Sequence, residues 1–210
     1  MKTVLDLIEK LKNDPIRDTI EQRMREFREL GRKPSNEIFK ELCFCFMTAN
    51  FSAAGGIRIQ NALSDDFLIL SESDLASRLA ELGHRFPNAR AEYIVLARPH
   101  ANTIKETLES IGDENAMREW IVENIKGIGM KEASHFLRNI GYKNLAIIDF
   151  HIVDFLAKHG LIEKPKSKSL TPKRYVEIEN ILREISERAE LNLGELDLYL
   201  WYLETGTVLK

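Results

Sequence analysis

Apolar positions recur at intervals of three and four along almost the whole chain. Leu5, Ile8 and Leu11 begin this pattern in a first segment that Asp14 and Pro15 close. This spacing places apolar side chains on one face of an α-helix, and the chain has no long alternating stretch of the kind found in strands. The pattern therefore predicts an all-α protein in which short loops join successive helices.

Capping residues and breaks in the apolar pattern indicate where the individual helices begin and end. Gly31 is expected to end the second helix, since glycine is common just after a helix terminus. Asn36 is the expected N-cap of the third helix, and Ser73 is expected to begin a later one that Gly83 ends. The second helix and those after Gly83 are predicted at about 16–30, 88–97, 101–110, 114–124, 131–140, 150–159, 172–189 and 194–204.

No repeat or long linker divides the chain. The single extended polar stretch, Glu163 to Arg174, contains two prolines and an excess of basic residues. It predicts a surface loop that either faces DNA or is simply solvated. We therefore expect residues 1–210 to form a single two-lobed domain, with one lobe made of the middle helices and the other of the terminal helices.

Composition excludes several classes of protein. The chain has 210 residues, of which 44% are hydrophobic, and 30 basic against 33 acidic side chains give a net charge of -3. This excludes intrinsic disorder, and any nucleic-acid site must come from a local arrangement of charge. No apolar run approaches the roughly 20 residues of a membrane span, and Asp6 and Glu9 interrupt the apolar stretch that a signal peptide would need. We therefore expect a cytoplasmic protein without a membrane partner.

The cysteine content limits metal and redox chemistry. The only two cysteines are Cys43 and Cys45, within the apolar segment LCFCFM. Two such close positions provide neither a disulfide framework nor the four ligands of a zinc or iron–sulfur site. Buried free thiols in a reducing compartment are the expected outcome.

Two glycines near the middle of the chain predict a tight turn between helices. Gly127 and Gly129 flank Ile128, within a helix–hairpin–helix expected at about 117–140. Glycine permits a positive φ and a close approach of the backbone to another molecule. Exposed amides ahead of a helix N-terminus also form a seat for phosphate. Such a turn equally ends ordinary helices, so the glycines alone do not distinguish the two interpretations.

Lys131 and Asp149 are placed where neither charge is expected for stability. Lys131 lies in the first turn of a predicted helix, where the helix dipole disfavours an ammonium and favours the neutral amine that nucleophilic chemistry needs. Asp149 lies between Ile148 and Phe150, where a carboxylate is costly unless it caps a helix or takes part in chemistry. Both roles are compatible for Asp149. Arg138 and Lys143 are close enough in sequence to add local positive charge.

These segments resemble a known enzyme superfamily. KGIGMKEASHFLRNIG followed by IIDFH is similar to the helix–hairpin–helix and aspartate signature of the DNA base-excision glycosylases. The resemblance implies a two-lobed helical fold with a DNA-binding cleft between the lobes. It identifies Lys131 with the catalytic lysine of the bifunctional members and Asp149 with their aspartate. It also implies that the amides of Gly127, Ile128 and Gly129 hold a DNA phosphate, with a bound monovalent cation as an additional element.

Further segments carry the same resemblance to DNA-contacting parts of that superfamily. LCFCFMTANFSA is similar to an apolar helix whose last polar residue reaches the DNA, which would be Asn50. LGHRFPNARAEYI resembles the loop whose tip wedges into the duplex, with Phe86 as the wedge and Arg85 beside it. His151 resembles a phosphate contact. The alternatives are a helix C-cap for Asn50 and ordinary packing for Phe86 and His151.

Within this superfamily, the whole chain looks most like the archaeal-type class of 8-oxoguanine DNA glycosylase/lyases. That resemblance implies removal of 8-oxoguanine from duplex DNA through a lysine Schiff base and β-elimination, by a monomer that needs no metal or organic cofactor. Trp201 and Lys210 would contact the flipped base, although Trp201 could equally be a core residue. The four-cysteine loop of the iron–sulfur relatives is missing, which disfavours a specificity for oxidised pyrimidines or mismatched adenine.

Alternative functions remain open at this stage. A non-catalytic helix–hairpin–helix DNA-binding module would explain the glycines but not the pairing of Lys131 with Asp149. A glycosylase for another damaged base would typically lack the lysine. A helical protein–protein interaction domain would suit the near-neutral charge, but it predicts no catalytic pair.

Overall fold

The computed structural model describes residues 1–165, 167 and 169–210. Lys166 and Lys168, which belong to the polar stretch predicted as a loop, lie outside the described residues. Over the described ranges the chain forms α-helices, one 3-10 turn at Arg98–His100 and no strand, so the all-α prediction is confirmed. The helices are α1 (Lys2–Lys12), α2 (Ile16–Gly31), α3 (Ser35–Thr48), α4 (Ala53–Leu63), α5 (Asp66–Ile69), α6 (Glu72–Glu81), α7 (Pro87–Ala97), α8 (Ile104–Ile111), α9 (Glu114–Asn124), α10 (Met130–Asn139), α11 (Phe150–Lys158), α12 (Pro172–Arg188) and α13 (Leu193–Thr205).

The two helix starts assigned to named capping residues are wrong by one or two residues, and α8 begins three residues after its predicted start at 101. Helix α3 begins at Ser35 directly after an extended Pro34, so Asn36 lies inside the first turn and does not cap it. Helix α6 is capped by Ser71, whose hydroxyl accepts a hydrogen bond from the Asp74 amide, and Ser73 lies within the helix. In both cases an earlier residue already provides the non-helical backbone that a helix start requires.

Helix α4 was not predicted because its sequence contains Gly55 and Gly56, which lower helix propensity. The structure shows what compensates for them. The Ser52 hydroxyl accepts a hydrogen bond from the Gly55 amide and caps the helix. A side chain at Gly56 would come within 3.1 Å of the Phe44 ring, so the glycine lets α4 pack closely on α3. The short helix α5 was also not predicted.

The buried side chains form one large core in the middle of the chain and a second core at its ends. The large core is built from α3–α10 and contains the residues of the LCFCFM segment. The second is built from α1, α11, α12 and α13, and α2 packs on α13 beside it. Met130, directly after the hairpin between α9 and α10, packs against the second core, so the site described below begins where the two cores meet. Of the helices described, none has the length and apolar composition needed to cross a membrane.

Cys43 and Cys45 are both buried free thiols in the large core, as expected from the sequence. Burial raises the pKa of each thiol well above its ordinary value. Since the thiolate is the reactive form, these side chains act as packing residues.

Candidate active site

The hairpin between α9 and α10 has one glycine that the backbone requires and one that it does not. Gly127 has a φ of +90°, and a side chain there would overlap the ring of Tyr93. Gly129 has a φ of -100° and an extended ψ, and the nearest atom to an added Cβ is a Glu132 carboxylate oxygen at 3.6 Å. The Ile128 amide donates to the Ile125 carbonyl at 3.3 Å, whereas the described residues provide no acceptor for the Gly127 and Gly129 amides. The two glycine amides are therefore more available to a phosphate than that of Ile128.

Lys131 lies in the first turn of α10, as the sequence predicted. Its side chain is 24% exposed, and its Nζ atom is 3.8 Å from a carboxylate oxygen of Glu132. The preceding residue, Met130, packs against the core of the terminal helices. The amine is thus held at the junction of the two cores while it remains accessible from solvent.

Asp149 is the N-cap of α11. Its backbone is extended, and its Oδ1 accepts a hydrogen bond from the Ile152 amide at 3.0 Å. The cap holds the carboxylate in one orientation, and one carboxylate oxygen accepts the helix amide. The capping role considered for this residue is therefore present in the structure.

A third charged residue near this pair, Asp197 on α13, was missed by sequence reasoning. Burial raises the pKa of Asp197 from 3.8 to about 6; the charge of Arg138 lowers it, that of Asp149 raises it, and that of Lys131 lowers it. Asp197 therefore lies within electrostatic range of both residues of the predicted catalytic pair. Like Asp149, Asp197 is a carboxylate within an apolar segment, and this pattern could have identified it from the sequence.

Arg138 is the buried partner of Asp197, and its guanidinium forms an ion pair with that carboxylate. Arg138 thus adds positive charge locally, as expected, but its side chain is only 4% exposed and its charge is paired with Asp197. Next to the ion pair, Ile147, Ile152 and Asp197 help to line a cavity of about 10 Å³, roughly the volume of one water.

His135 is a second buried group that the sequence did not single out. Burial lowers the pKa of His135 well below its ordinary value, and the charges of Arg138 and Lys131 lower it further, whereas the Lys210 backbone opposes the shift. The imidazole packs edge-on against Phe44, with ring centroids 5.7 Å apart. His135 thus lies among Lys131, Arg138 and the last residue described.

Lys210 is docked against the middle helices. Its ammonium donates to a carboxylate oxygen of Glu41 at 2.8 Å and to the side-chain oxygen of Gln60, and it lies 4.3 Å from the centre of the Phe44 ring. Glu41 is only 2% exposed. Buried carboxylates are stable when paired with a cation, and Lys210 provides that charge.

A chain of buried polar contacts runs from Lys210 towards the predicted catalytic pair. Glu41 accepts a hydrogen bond from the Asn139 amide group at 2.6 Å, and Asn139 in turn accepts two from Arg138 at 3.1 and 2.9 Å. Arg138 then pairs with Asp197. Lys210 and the region around Lys131 are therefore connected through side chains of α3, α10 and α13.

Aromatic residues lie next to Asp149. The ring of exposed Phe150 packs on His151 with centroids 4.0 Å apart, and His151 meets Trp201 edge-on at 5.4 Å. The Trp201 Nε1 atom is buried, and the described residues offer it no acceptor. The geometry thus places His151 and Trp201 together, with an unsatisfied donor on the tryptophan.

Asn50, Arg85 and Phe86 lie on loops of the large core. Asn50 is exposed just after the end of α3 and has a φ of +59°, a conformation that asparagine tolerates at helix ends. Phe86 is 39% exposed at the start of α7, and the Arg85 guanidinium lies 5.1 Å from the centre of its ring. All three residues are thus open to a large partner.

A family model and a relative of known sequence both match most of this chain. Residues 20–191 match the sequence model of a family described as 8-oxoguanine DNA glycosylase. The 8-oxoguanine DNA glycosylase/AP lyase of Korarchaeum cryptofilum is 57% identical over 201 residues, which cover 96% of this chain and 95% of that protein.

Two solved structures of 8-oxoguanine glycosylases match nearly the whole chain. The crystal structure of the Methanocaldococcus jannaschii 8-oxoguanine glycosylase/lyase in complex with a 15mer DNA containing 8-oxoguanine matches with a TM-score of 0.96 and 53% identity, covering 99% of this chain and 100% of that one. The 8-oxoguanine DNA glycosylase of Thermotoga maritima matches with a TM-score of 0.93 and 44% identity, covering all of both chains.

Proposed function

This chain belongs to the 8-oxoguanine DNA glycosylase family, and we infer that it is a DNA glycosylase/AP lyase that removes 8-oxoguanine from duplex DNA. The observation that supports this activity in the chain itself is the arrangement of charges at the hairpin. Lys131 follows Met130, which packs against the core of the terminal helices, Asp149 caps α11 in that core, and both charges act on the pKa of the buried Asp197 carboxyl. A binding module would have no need to bring these groups together.

Lys131 is the proposed nucleophile. Its neutral amine attacks the C1′ carbon of the damaged nucleotide, a bond forms between Nζ and C1′, and the bond from C1′ to the base breaks. The base leaves with the electron pair of that bond and takes up a proton. Opening of the sugar then gives an imine between Lys131 and C1′, which allows loss of a C2′ proton and β-elimination of the 3′ phosphate.

Asp149 is proposed to stabilise the positive charge that develops on the sugar as the base departs. The cap that it forms on α11 holds the carboxylate in one orientation, so no reorganisation is needed when the charge appears. Deprotonation of the attacking amine is a second proposed task for the same carboxylate. This chemistry uses the amine and carboxylate alone, so we keep the prediction that no metal or organic cofactor is required.

Binding requires the damaged nucleotide to leave the base stack. Flipping costs a few kcal/mol, which contacts to the bent backbone and filling of the vacated space offset. We assign the wedge to Phe86 with Arg85 beside it, and a contact in the vacated space to Asn50. The hairpin amides of Gly127 and Gly129 are proposed to hold a phosphate, together with His151, and the Ile128 amide would join them only by giving up its bond to the Ile125 carbonyl.

Recognition of the flipped base is assigned to Lys210 and Trp201. 8-Oxoguanine differs from guanine by an oxygen at C8 and a hydrogen on N7, so discrimination depends on a few accurately placed polar groups. Lys210 is held by Glu41 and Gln60, and the unsatisfied Nε1 donor of Trp201, whose ring packs on His151, adds a second polar group. A monovalent cation at the hairpin, a monomeric state and a cytoplasmic location stay predictions.

Borohydride trapping on duplex DNA containing 8-oxoguanine tests the proposal. The wild-type protein should form a covalent adduct, because borohydride reduces the imine to a stable amine. Lys131→Gln should form none while it still binds the same DNA. Lys126→Gln, which removes a hairpin lysine paired with Glu92 at 2.7 Å, should still be trapped. Binding without trapping in the wild-type protein would instead indicate a non-catalytic module.

A further inference from the structure

His84 is a buried side chain that contacts both loops to which DNA contacts are assigned above. It follows the end of α6 and is only 4% exposed. Its Nε2 atom lies 3.1 Å from the Met47 carbonyl near the end of α3, and its Nδ1 atom lies 3.1 Å from the Phe86 amide nitrogen. One imidazole therefore joins the last turn of α3, directly before the loop that carries Asn50, to the α6–α7 loop, which carries Phe86.

The partners of His84 determine the state of its ring. A backbone amide can only donate, so Nδ1 must accept from Phe86 and carry no proton. The ring proton is then on Nε2, where it is donated to the Met47 carbonyl. Burial lowers the pKa of His84; the Met47 carbonyl opposes this and the Arg90 charge adds to it, so the neutral ring is favoured.

Neighbouring contacts strengthen the same connection. The Arg90 guanidinium of α7 donates to the Ala49 carbonyl at 2.7 Å, directly before Asn50. Phe51 packs on the His84 ring with centroids 4.6 Å apart. The two loops are thus linked from both sides of Asn50 as well as through the imidazole.

We propose that His84 is a positioning residue that fixes the Phe86 loop to the end of α3, so that Phe86 and Asn50 meet the DNA as one preformed unit. The proposal rests on the DNA-contacting roles assigned to these two residues above. Groups that are already ordered lose less conformational freedom when a complex forms. The imidazole would therefore assist the step in which the duplex is opened, without touching the DNA.

Two substitutions each remove one half of the bridge. His84→Gln retains a donor for Met47 and loses the acceptor for Phe86, whereas His84→Asn retains the acceptor and loses the donor. Single-turnover excision is measured for each on 8-oxoguanine in a duplex and in a single strand, where no unstacking from a duplex is needed. His159→Gln removes the histidine at the C-terminal end of α11 and serves as the matched control.

We expect both His84 variants to lose about tenfold in the duplex rate, the size expected for loss of one buried hydrogen bond, with the single-strand rate retained. Adding either substitution to Phe86→Ala should cause no further loss, because the bridge acts through Phe86. Equal losses on both substrates, full additivity with Phe86→Ala or an unchanged duplex rate would overturn the proposal.

The same measurements distinguish this proposal from the wedge role itself. If Phe86→Ala lowered both rates equally, the wedge and the positioning role of His84 would both be wrong. If Phe86→Ala affected only the duplex rate and the His84 variants did not, the wedge would stand and the role of His84 would be wrong.

Discussion

At the scale of single residues, Asp149 combines a structural role, as the cap of α11, with a proposed chemical role. Asp149 caps α11 in the same way that Asp113 caps α9, where the Asp113 carboxylate accepts from the Ala116 amide at 2.8 Å. The Asp149 charge raises the pKa of Asp197, on which the Lys131 charge also acts, whereas Asp113 is not among the charges that act on Asp197. The difference between the two caps is therefore electrostatic, and substitution can isolate it.

Asp149→Asn should preserve the fold while it slows excision severely. Asparagine caps a helix about as well as aspartate, so the melting temperature should change little. The negative charge near the developing cation is lost, and we expect a fall of at least about a hundredfold in the single-turnover excision rate. Asp113→Asn is the matched control and should leave the rate near the wild-type value. A near-normal rate in Asp149→Asn would assign the residue a structural role alone.

Glu41→Gln should release Lys210 from its docking position. Among the described residues, every hydrogen-bond partner of the Glu41 carboxylate is a donor, namely Lys210, Gln60 and Asn139, so an amide would turn N–H groups towards at least one of them. We expect a loss of about 2–4 kcal/mol in stability and a lower ratio of 8-oxoguanine to guanine excision.

A double-mutant cycle provides the control for this prediction. Lys210→Met should lower the same excision ratio, and the double variant should be no worse than the more affected single variant, because both act on one contact. Glu37→Gln, on the same helix and paired with Lys40 at 2.6 Å, should leave the ratio unchanged. Additive losses would show that Glu41 and Lys210 act independently.

At the scale of helices and turns, local patterns predicted most of the architecture. The apolar spacing predicted eleven helices that the structure contains, and the Gly-Ile-Gly turn predicted the hairpin, because these features depend on neighbouring residues. Helix α4 was missed because its glycines lower helix propensity, and the packing of Gly56 against Phe44 that compensates for this involves another helix. The ion pairs of Asp197 and Glu41 were missed for the same reason, since each joins residues that are distant in the chain.

The hairpin glycines should respond differently to alanine. Gly127→Ala places a side chain at a φ of +90° and against Tyr93, so we expect a loss of at least about 1–2 kcal/mol in stability. Gly129→Ala should melt near the wild-type temperature, since its φ is ordinary and its surroundings are open. Its added methyl group should still weaken DNA binding if a phosphate approaches the hairpin amides. Thermal melting and DNA titration of both variants check this, and equal melting temperatures would contradict it.

At the scale of the whole molecule, buried ion pairs join the core of the middle helices to the terminal helices. Arg118 on α9 binds Glu179 on α12 through two hydrogen bonds of 2.6 and 3.0 Å. Arg138 on α10 pairs with Asp197 on α13. The sequence could predict two lobes from the order of helices, but not these connections. The site therefore depends on how the lobes are joined as much as on either lobe alone.

The connection through Asp197 should make stability depend on pH in an unusual direction. The pKa of this carboxyl is raised from 3.8 to about 6, so the folded protein binds its proton more tightly than the unfolded chain. As the pH falls from 7 through 6 towards 4, this group therefore adds stability, by about 3 kcal/mol in total. Most paired carboxylates contribute with the opposite sign.

Asp197→Asn removes this proton uptake, so it provides the test. Urea unfolding of both proteins at pH 7 and pH 4.5 should show the wild-type protein gaining stability relative to the variant at the lower pH. The variant also leaves Arg138 without its counter-ion, but that cost is present at both pH values and cancels in the comparison. If the difference in unfolding free energy between the two proteins were the same at both pH values, Asp197 would still be ionised at pH 4.5. Its ion pair with Arg138 would then outweigh the effect of its burial.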